Sequence, residues 1–225
     1  MINLLNLFFP KVCEACSRYL SDNEQVICSV CRHDLPVTNI HYTKSDAVKR
    51  VLFGRVKLEE ATSLFYFSKG GLVQKLLHNL KYRGHEHIGQ CLGEWLGEEL
   101  KDSMSFQDID VVVPVPLHPK KLRIRGYNQV DRFGRAIASA LEIPFQRELL
   151  KKRFATKTQV FKNRIGRYDD SKTKFYITHT NEFSNHHILI VDDIITTGST
   201  IENCSQVLQD IPGIKLSLAT MAIAE

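Results

Sequence analysis

Between Ala61 and Phe67 hydrophobic and polar positions alternate and aromatic residues cluster, the signature of a strand, until Gly70 and Gly71 interrupt it. The period then lengthens. Leu72, Val73, Leu76, Leu77 and Leu80 recur at three and four residue spacing and predict a helix that stops near Gly84. Leu92, Trp95, Leu96 and Leu100 share one face of a second predicted helix, Ile88 to Leu100. Asp108 to Pro116 is a continuous apolar run bounded by acids and prolines, as buried parallel strands are. Helical spacing resumes from Asn128 to Leu141. A second buried strand starts at His186, a helix covers Ser199 to Leu208, and a last strand runs from Lys215 to Ala224. Strands alternating with helices predict an α/β fold with a parallel sheet flanked by helices on both faces.

The polar stretch from Thr38 to Lys57 has no clear period. It divides the chain into a small module over 1–40, a connector over 41–60 and the α/β domain over 61–225. The first ten residues are apolar but end at Pro10 and carry no basic region, so they read as a packing helix rather than a targeting signal or a stable membrane insertion. With 43% hydrophobic and 24% charged residues in 225, the composition is that of a water-soluble protein. The net charge of +5 is unevenly spread: from Arg147 to Lys174 ten Lys and Arg face three acids. Such a run favours phosphates, pyrophosphate or a nucleic-acid backbone, against the plainer reading of a solvated charged face.

Chemistry concentrates in His187 to Thr200, HILIVDDIITTGST. A buried strand, Ile188 to Val191, delivers Asp192 and Asp193 to the edge where ligands bind in open parallel sheets. A turn containing Gly198 then leads into a helix whose first amides, with the hydroxyls of Thr196, Thr197, Ser199 and Thr200, would receive a phosphate. Paired carboxylates suit the vicinal hydroxyls of a ribose beside it. The assignment, a site for 5-phosphoribosyl-1-pyrophosphate or a related ribose 5-phosphate, fails if both carboxylates are buried away from solvent or the amides point inward. The plain alternative is a capped helix after a strand.

Upstream, Val111 to Gln129 combines a strand end and paired prolines with Lys120, Lys121, Arg123 and Arg125, and has no acid. Pro116, Leu117, His118 and Arg125 are the candidates for a pyrophosphate loop. Asn128 also suits a helix cap, and His118 a hydrogen-bonded loop position rather than an acid–base group. Cys13-x2-Cys16 and Cys28-x2-Cys31, with eleven residues between, form two chelating knuckles that together make a closed tetrahedral site for structural zinc, with an iron–sulfur centre or plain buried thiols as alternatives. With no secretion signal the free thiols fit a reducing, cytoplasmic setting. Cys91 and Cys204 read as buried apolar residues.

VDDIITTGST resembles the ribose phosphate fingerprint of type I phosphoribosyltransferases. With VPVPLH, RGYNQ and LLHNLKYRG at Leu76 to Gly84, it resembles the ComF family of competence-associated, phosphoribosyltransferase-like proteins over nearly the whole chain. The resemblance implies Asp192 and Asp193 as the ribose-holding, catalytic acids, 196–200 as the 5-phosphate loop, and magnesium bound through pyrophosphate and ribose oxygens. It implies a role with single-stranded DNA in natural transformation, with DNA-uptake proteins as partners, and Lys81, Gln129, Gln159 and Arg167 as flexible-loop or DNA contacts. Asp170 stands where the family pattern has Asn. The alternative is a magnesium-dependent phosphoribosyltransferase acting on an unidentified nitrogen acceptor.

Overall fold

The computed structural model describes residues 10–152, 174–178 and 180–224. The first nine residues, read as a packing helix, lie outside them, as does most of the basic stretch, with Gln159 and Arg167. The described elements are α1 (Ser29–Asp34), α2 (Ile40–Thr43), α3 (Ala47–Val51), β1 (Ala61–Phe67), α4 (Leu72–Tyr82), α5 (His87–Lys101), β2 (Val111–Pro114), α6 (Pro119–Arg125), α7 (Asp131–Ala140), β3 (Leu150–Lys152), β4 (Phe175–Ile177), β5 (His187–Ile195), α8 (Ser199–Leu208) and β6 (Lys215–Ala224). Four strands form a parallel sheet in the order β1-β6-β5-β2, and β3 pairs antiparallel with β4.

Period-two side-chain alternation assigns each strand residue to a face. Val112, Leu189, Val191 and Ala219 meet α4, α5 and α7 in one core, which Cys13, Cys28, Cys31 and Leu35 join. Val111, Val113, Ile188, Ile190 and Leu218 meet α8 and the β3–β4 pair in the other. Ile40, Val48 and Leu52 belong to this second core, so the stretch read as a connector covers one face of the sheet with α2 and α3. Its polar residues hid the three apolar ones.

Helices α5 and α7 approach closely because α5 offers glycines at the crossing. A Cβ on Gly93 would lie 2.8 Å from that of Ala136. The open edges of the sheet are covered by irregular chain. The amide of Thr38 donates to the carbonyl of Leu64 and that of Tyr66 to Pro36, while Val112 exchanges hydrogen bonds with Pro144 and Gln146. Unpaired strand edges invite pairing with other chains, and these segments remove the opportunity.

The ladder is broken along one line. Partners are missing at Leu64 of β1 and at Asp193 of β5, both opposite Met221 of β6. Alternation slips there: Leu64 and Phe65 both join the first core, as do Met221 and Ala222. Ser63 Oγ donates to the Phe65 carbonyl at 3.3 Å and Thr220 Oγ1 to that of Ala222 at 3.2 Å, each spanning the unpaired position in its own strand. Such irregularities re-aim side chains next to functional sites.

Candidate functional site

The helix that follows β5 begins as the sequence predicts. Gly198 is its N-cap at φ 76°, the left-handed region, and no side chain caps the helix. The first amides of a helix have no intrahelical acceptor. Thr196, Thr197, Ser199 and Thr200 around them are exposed. Arg55 fixes this loop from the opposite end of the chain, donating from Nη2 to the Thr197 carbonyl at 2.8 Å and from Nη1 to Glu202 at 2.8 Å. Leu52 packs so tightly beneath that a Cβ on Gly198 would lie 2.5 Å from its Cδ2. Gly198→Ala is therefore expected to cost roughly 1–2 kcal/mol for the left-handed backbone alone, with a further cost for moving Leu52. The melting temperature reads this effect, and an unchanged value would contradict the packing.

The carboxylates differ from the sequence expectation. Strand β5 continues to Ile195, so Asp192 and Asp193 lie within it and are only 8% and 6% exposed. Consecutive strand residues point to opposite faces. Asp193 turns toward the first face, where Lys81 Nζ of α4 pairs with its Oδ1 at 3.0 Å and Gln129 Nε2 donates to its Oδ2 at 2.6 Å. Asp192 turns toward the second, where its charge acts on Lys152 of β3 and Cys204 of α8. Its Oδ1 accepts the Asp193 amide at 2.8 Å. Burial, then the neighbouring charge of Asp193, pushes the Asp192 carboxyl up to about 8, while that amide, Lys81 and Lys152 pull it back.

The loop's hydroxyls are exposed and no side chain caps its helix. Both carboxylates are buried, which counts against a ready-made acceptor pair for a ribose diol. Strand length is the cause: the apolar Ile194 and Ile195 extend pairing past the acids.

Lys81 and Gln129, grouped by resemblance with flexible-loop or DNA contacts, both converge on Asp193. Arg125 donates to Gln129 Oε1, so a chain of polar contacts joins α6 to the acid. The guanidinium of Arg125 also lies 5.7 Å from the ring of Tyr82, which is 71% exposed. Around them, Lys81, Tyr82, Lys121, Ile124, Arg125 and Tyr127 line a cavity of about 250 Å³. A larger cavity of about 380 Å³ opens where β2 ends, lined by Pro114, Pro116, Leu117, Asn128, Lys152 and Tyr176 among others.

The pyrophosphate-loop candidates run from Pro116, beyond β2, into α6. Pro119 occupies its first turn, His118 Nδ1 accepts the Lys120 amide at 3.2 Å, and Gly126 ends it at φ 87°. Proline early and glycine just after a helix is the preferred asymmetry. His118 is thus a helix cap, the hydrogen-bonded alternative. Asn128 does not cap α7, which starts after Val130; its Nδ2 donates to the Val115 carbonyl at 3.0 Å and ties the end of β2 to the helix.

The family described as phosphoribosyl transferase domain matches residues 132–220, which include the β5 acids and the hydroxyl loop. Competence protein F of Haemophilus influenzae is 29% identical over 140 residues, 60% of this chain and 61% of that protein's own length. DNA utilization protein YhgH of Escherichia coli is 26% identical over 200 residues, 88% of this chain and 83% of the relative. The chain is ComF-like. Amidophosphoribosyltransferase of Pasteurella multocida is 29% identical over 141 residues, 63% of this chain but 25% of its own length. The ComF-like chain has the type I phosphoribosyltransferase-like fold: a parallel sheet between helices, with the acid-and-threonine loop after β5.

The four clustered cysteines of this ComF-like chain can hold a metal ion, their sulfurs all lying within 4.8 Å of one another. The Cys16 and Cys28 sulfurs are 3.8 Å apart. A tetrahedral ion with bonds of about 2.3 Å sets its sulfurs about 3.8 Å apart. The Cys28 amide donates to Cys13 Sγ at 3.3 Å and the Cys31 amide to Cys28 Sγ at 3.4 Å, contacts that favour thiolates. Arg18 holds the Cys16 thiol down to about 6, whereas burial pushes Cys28 and Cys31 up. Cys204 is buried and Cys91 partly so, both free. Among the described residues no helix is long and apolar enough to cross a membrane.

Proposed function

We propose that this protein binds 5-phosphoribosyl-1-pyrophosphate and handles single-stranded DNA in DNA uptake. The observation that carries the first half is the exposed hydroxyl loop on the uncapped start of α8, directly after the acid-bearing strand. Helix N-termini of this kind receive phosphate. The 5-phosphate takes this loop, and the pyrophosphate takes the cations nearby, Lys81, Lys121, Arg125 and Lys152. Magnesium, held mainly by the ligand's pyrophosphate and ribose oxygens, neutralises charge between them.

Asp193 becomes available to a ribose hydroxyl when Lys81 exchanges its carboxylate for a pyrophosphate oxygen. Lys81 is suited to this, being 21% exposed with a flexible four-carbon stem. The likeness to Competence protein F and YhgH supports the role with DNA. Arg147, Lys151, Lys152 and Lys174, the described part of the basic stretch, add cationic surface near the β2 cavity. Structural zinc in the four-cysteine cluster completes the reading, since four protein sulfurs leave no open position for chemistry.

A second reading, transfer of phosphoribosyl to a nitrogen nucleophile, is favoured by the 380 Å³ cavity at the end of β2. Its volume is in the range of small-molecule sites, roughly 300–1,000 Å³. Incubation with the diphosphate, magnesium and a panel of bases and amines separates the two. The binding reading expects no pyrophosphate release and an oligonucleotide affinity that falls steeply with salt. Turnover with one acceptor establishes the enzyme instead, and absent oligonucleotide binding at low salt removes the DNA role.

A further inference from the structure

We propose a second metal site, formed by Glu14, His85 and His87, that clamps the first cysteine knuckle to the turn between α4 and α5 and takes a divalent ion of the zinc class. Glu14 lies between Cys13 and Cys16, but its carboxylate points away from the sulfur cluster. One oxygen meets His85 Nδ1 at 2.7 Å and the other meets His87 Nε2 at 2.8 Å. The three donor atoms all lie within 4.8 Å of one another, a separation that one ion can span. Two imidazoles and one carboxylate form a common zinc donor set, with bonds of about 2.0–2.2 Å and one position left for water or an external ligand.

Rigid chain on both sides prepares this arrangement. The Glu14 amide donates to the Val26 carbonyl at 3.0 Å inside the cysteine module. Asn79 Nδ2 of α4 donates to the Glu14 carbonyl at 3.0 Å and to Oε2 at 3.2 Å, the outer contact that orients a metal-binding carboxylate. The imidazoles are stacked with centroids 5.5 Å apart, side by side against the two oxygens of Glu14. Glu14 is 9% exposed, whereas the His85 and His87 side chains are 37% and 49% exposed, which gives an ion a path from solvent and a solvent-facing fourth position. On binding, each neutral imidazole moves its N–H to the far ring nitrogen and offers the near lone pair. No sulfur is involved, so the site is chemically distinct from the cysteine cluster.

The full chain, dialysed against buffer holding micromolar free zinc, is predicted to retain two equivalents of zinc. His85→Ala/His87→Ala and Glu14→Gln are each predicted to retain one, which a thiol-modifying reagent releases. A single equivalent in the unaltered protein overturns the proposal, as does a second equivalent that survives in the histidine double variant. Cobalt titration of the unaltered protein guards against a variant that fails to fold. The first equivalent should bring intense thiolate charge-transfer absorption and the second only weak visible bands; a second equivalent that is absent, or that adds thiolate absorption, also overturns it.

Discussion

Asp192→Asn is expected to raise the melting temperature by roughly 5 °C or more at pH 8 and to leave it nearly unchanged at pH 4. The carboxyl is buried within β5 and its titration is displaced upward to about 8. An acid whose folded-state value is raised contributes most to stability below its ordinary value near 4. That contribution falls as pH climbs toward 8, because the folded chain keeps a proton that the unfolded chain has released. The slope is about 1.4 kcal/mol per pH unit within the window. Asparagine preserves the shape and the oxygen that accepts the Asp193 amide, while removing the ionisable group. A benefit that grows between pH 4 and pH 8 supports this account; a pH-independent difference contradicts it. Keeping an acid where a neutral residue is more stable is the pattern of a position retained for function.

Removal of metal from the four-cysteine cluster, by chelation or by Cys31→Ser, is expected to lower the melting temperature by about 10 °C or more. The cluster is not an isolated appendage: Cys13, Cys28 and Cys31 are buried in the same core as Leu76, Leu92 and Phe133. A bound ion would hold the two knuckles against that core, and releasing it would loosen one face of it. Melting curves that coincide with and without chelator, while metal is shown to have left, would contradict this dependence.

Most of the framework was legible because it rests on short-range periodicity. The aromatic alternation of 61–67, the leucine spacing of α4 and the apolar run before Asp192 each identify an element without reference to the rest of the chain. The cysteine spacing and the order of acids, glycine and hydroxyls are equally local. What escaped depends on distant partners. Nothing near Lys81 indicates that it pairs with Asp193, and nothing near Arg55 indicates that it anchors Thr197. The polar surroundings of Val48 and Leu52 concealed a core contribution, and the three-residue strands β3 and β4 are too short to display a period. Burial of the two acids follows from β5 continuing to Ile195 and pairing with β6 past them, a property of the assembled sheet. The ends of α6 are marked locally by His118, Pro119 and Gly126, although its four basic residues give it no apolar period.

Calorimetric titration with phosphoribosyl pyrophosphate and magnesium shows whether the loop after β5 and its neighbouring acids grip a ribose phosphate. The unaltered protein should bind saturably, and Asp192→Asn/Asp193→Asn should bind at least tenfold more weakly, a loss of about 1.4 kcal/mol or more, with a cooperative melting transition retained. Equal affinity in the two proteins, or no saturable binding to the unaltered one, would contradict the assignment.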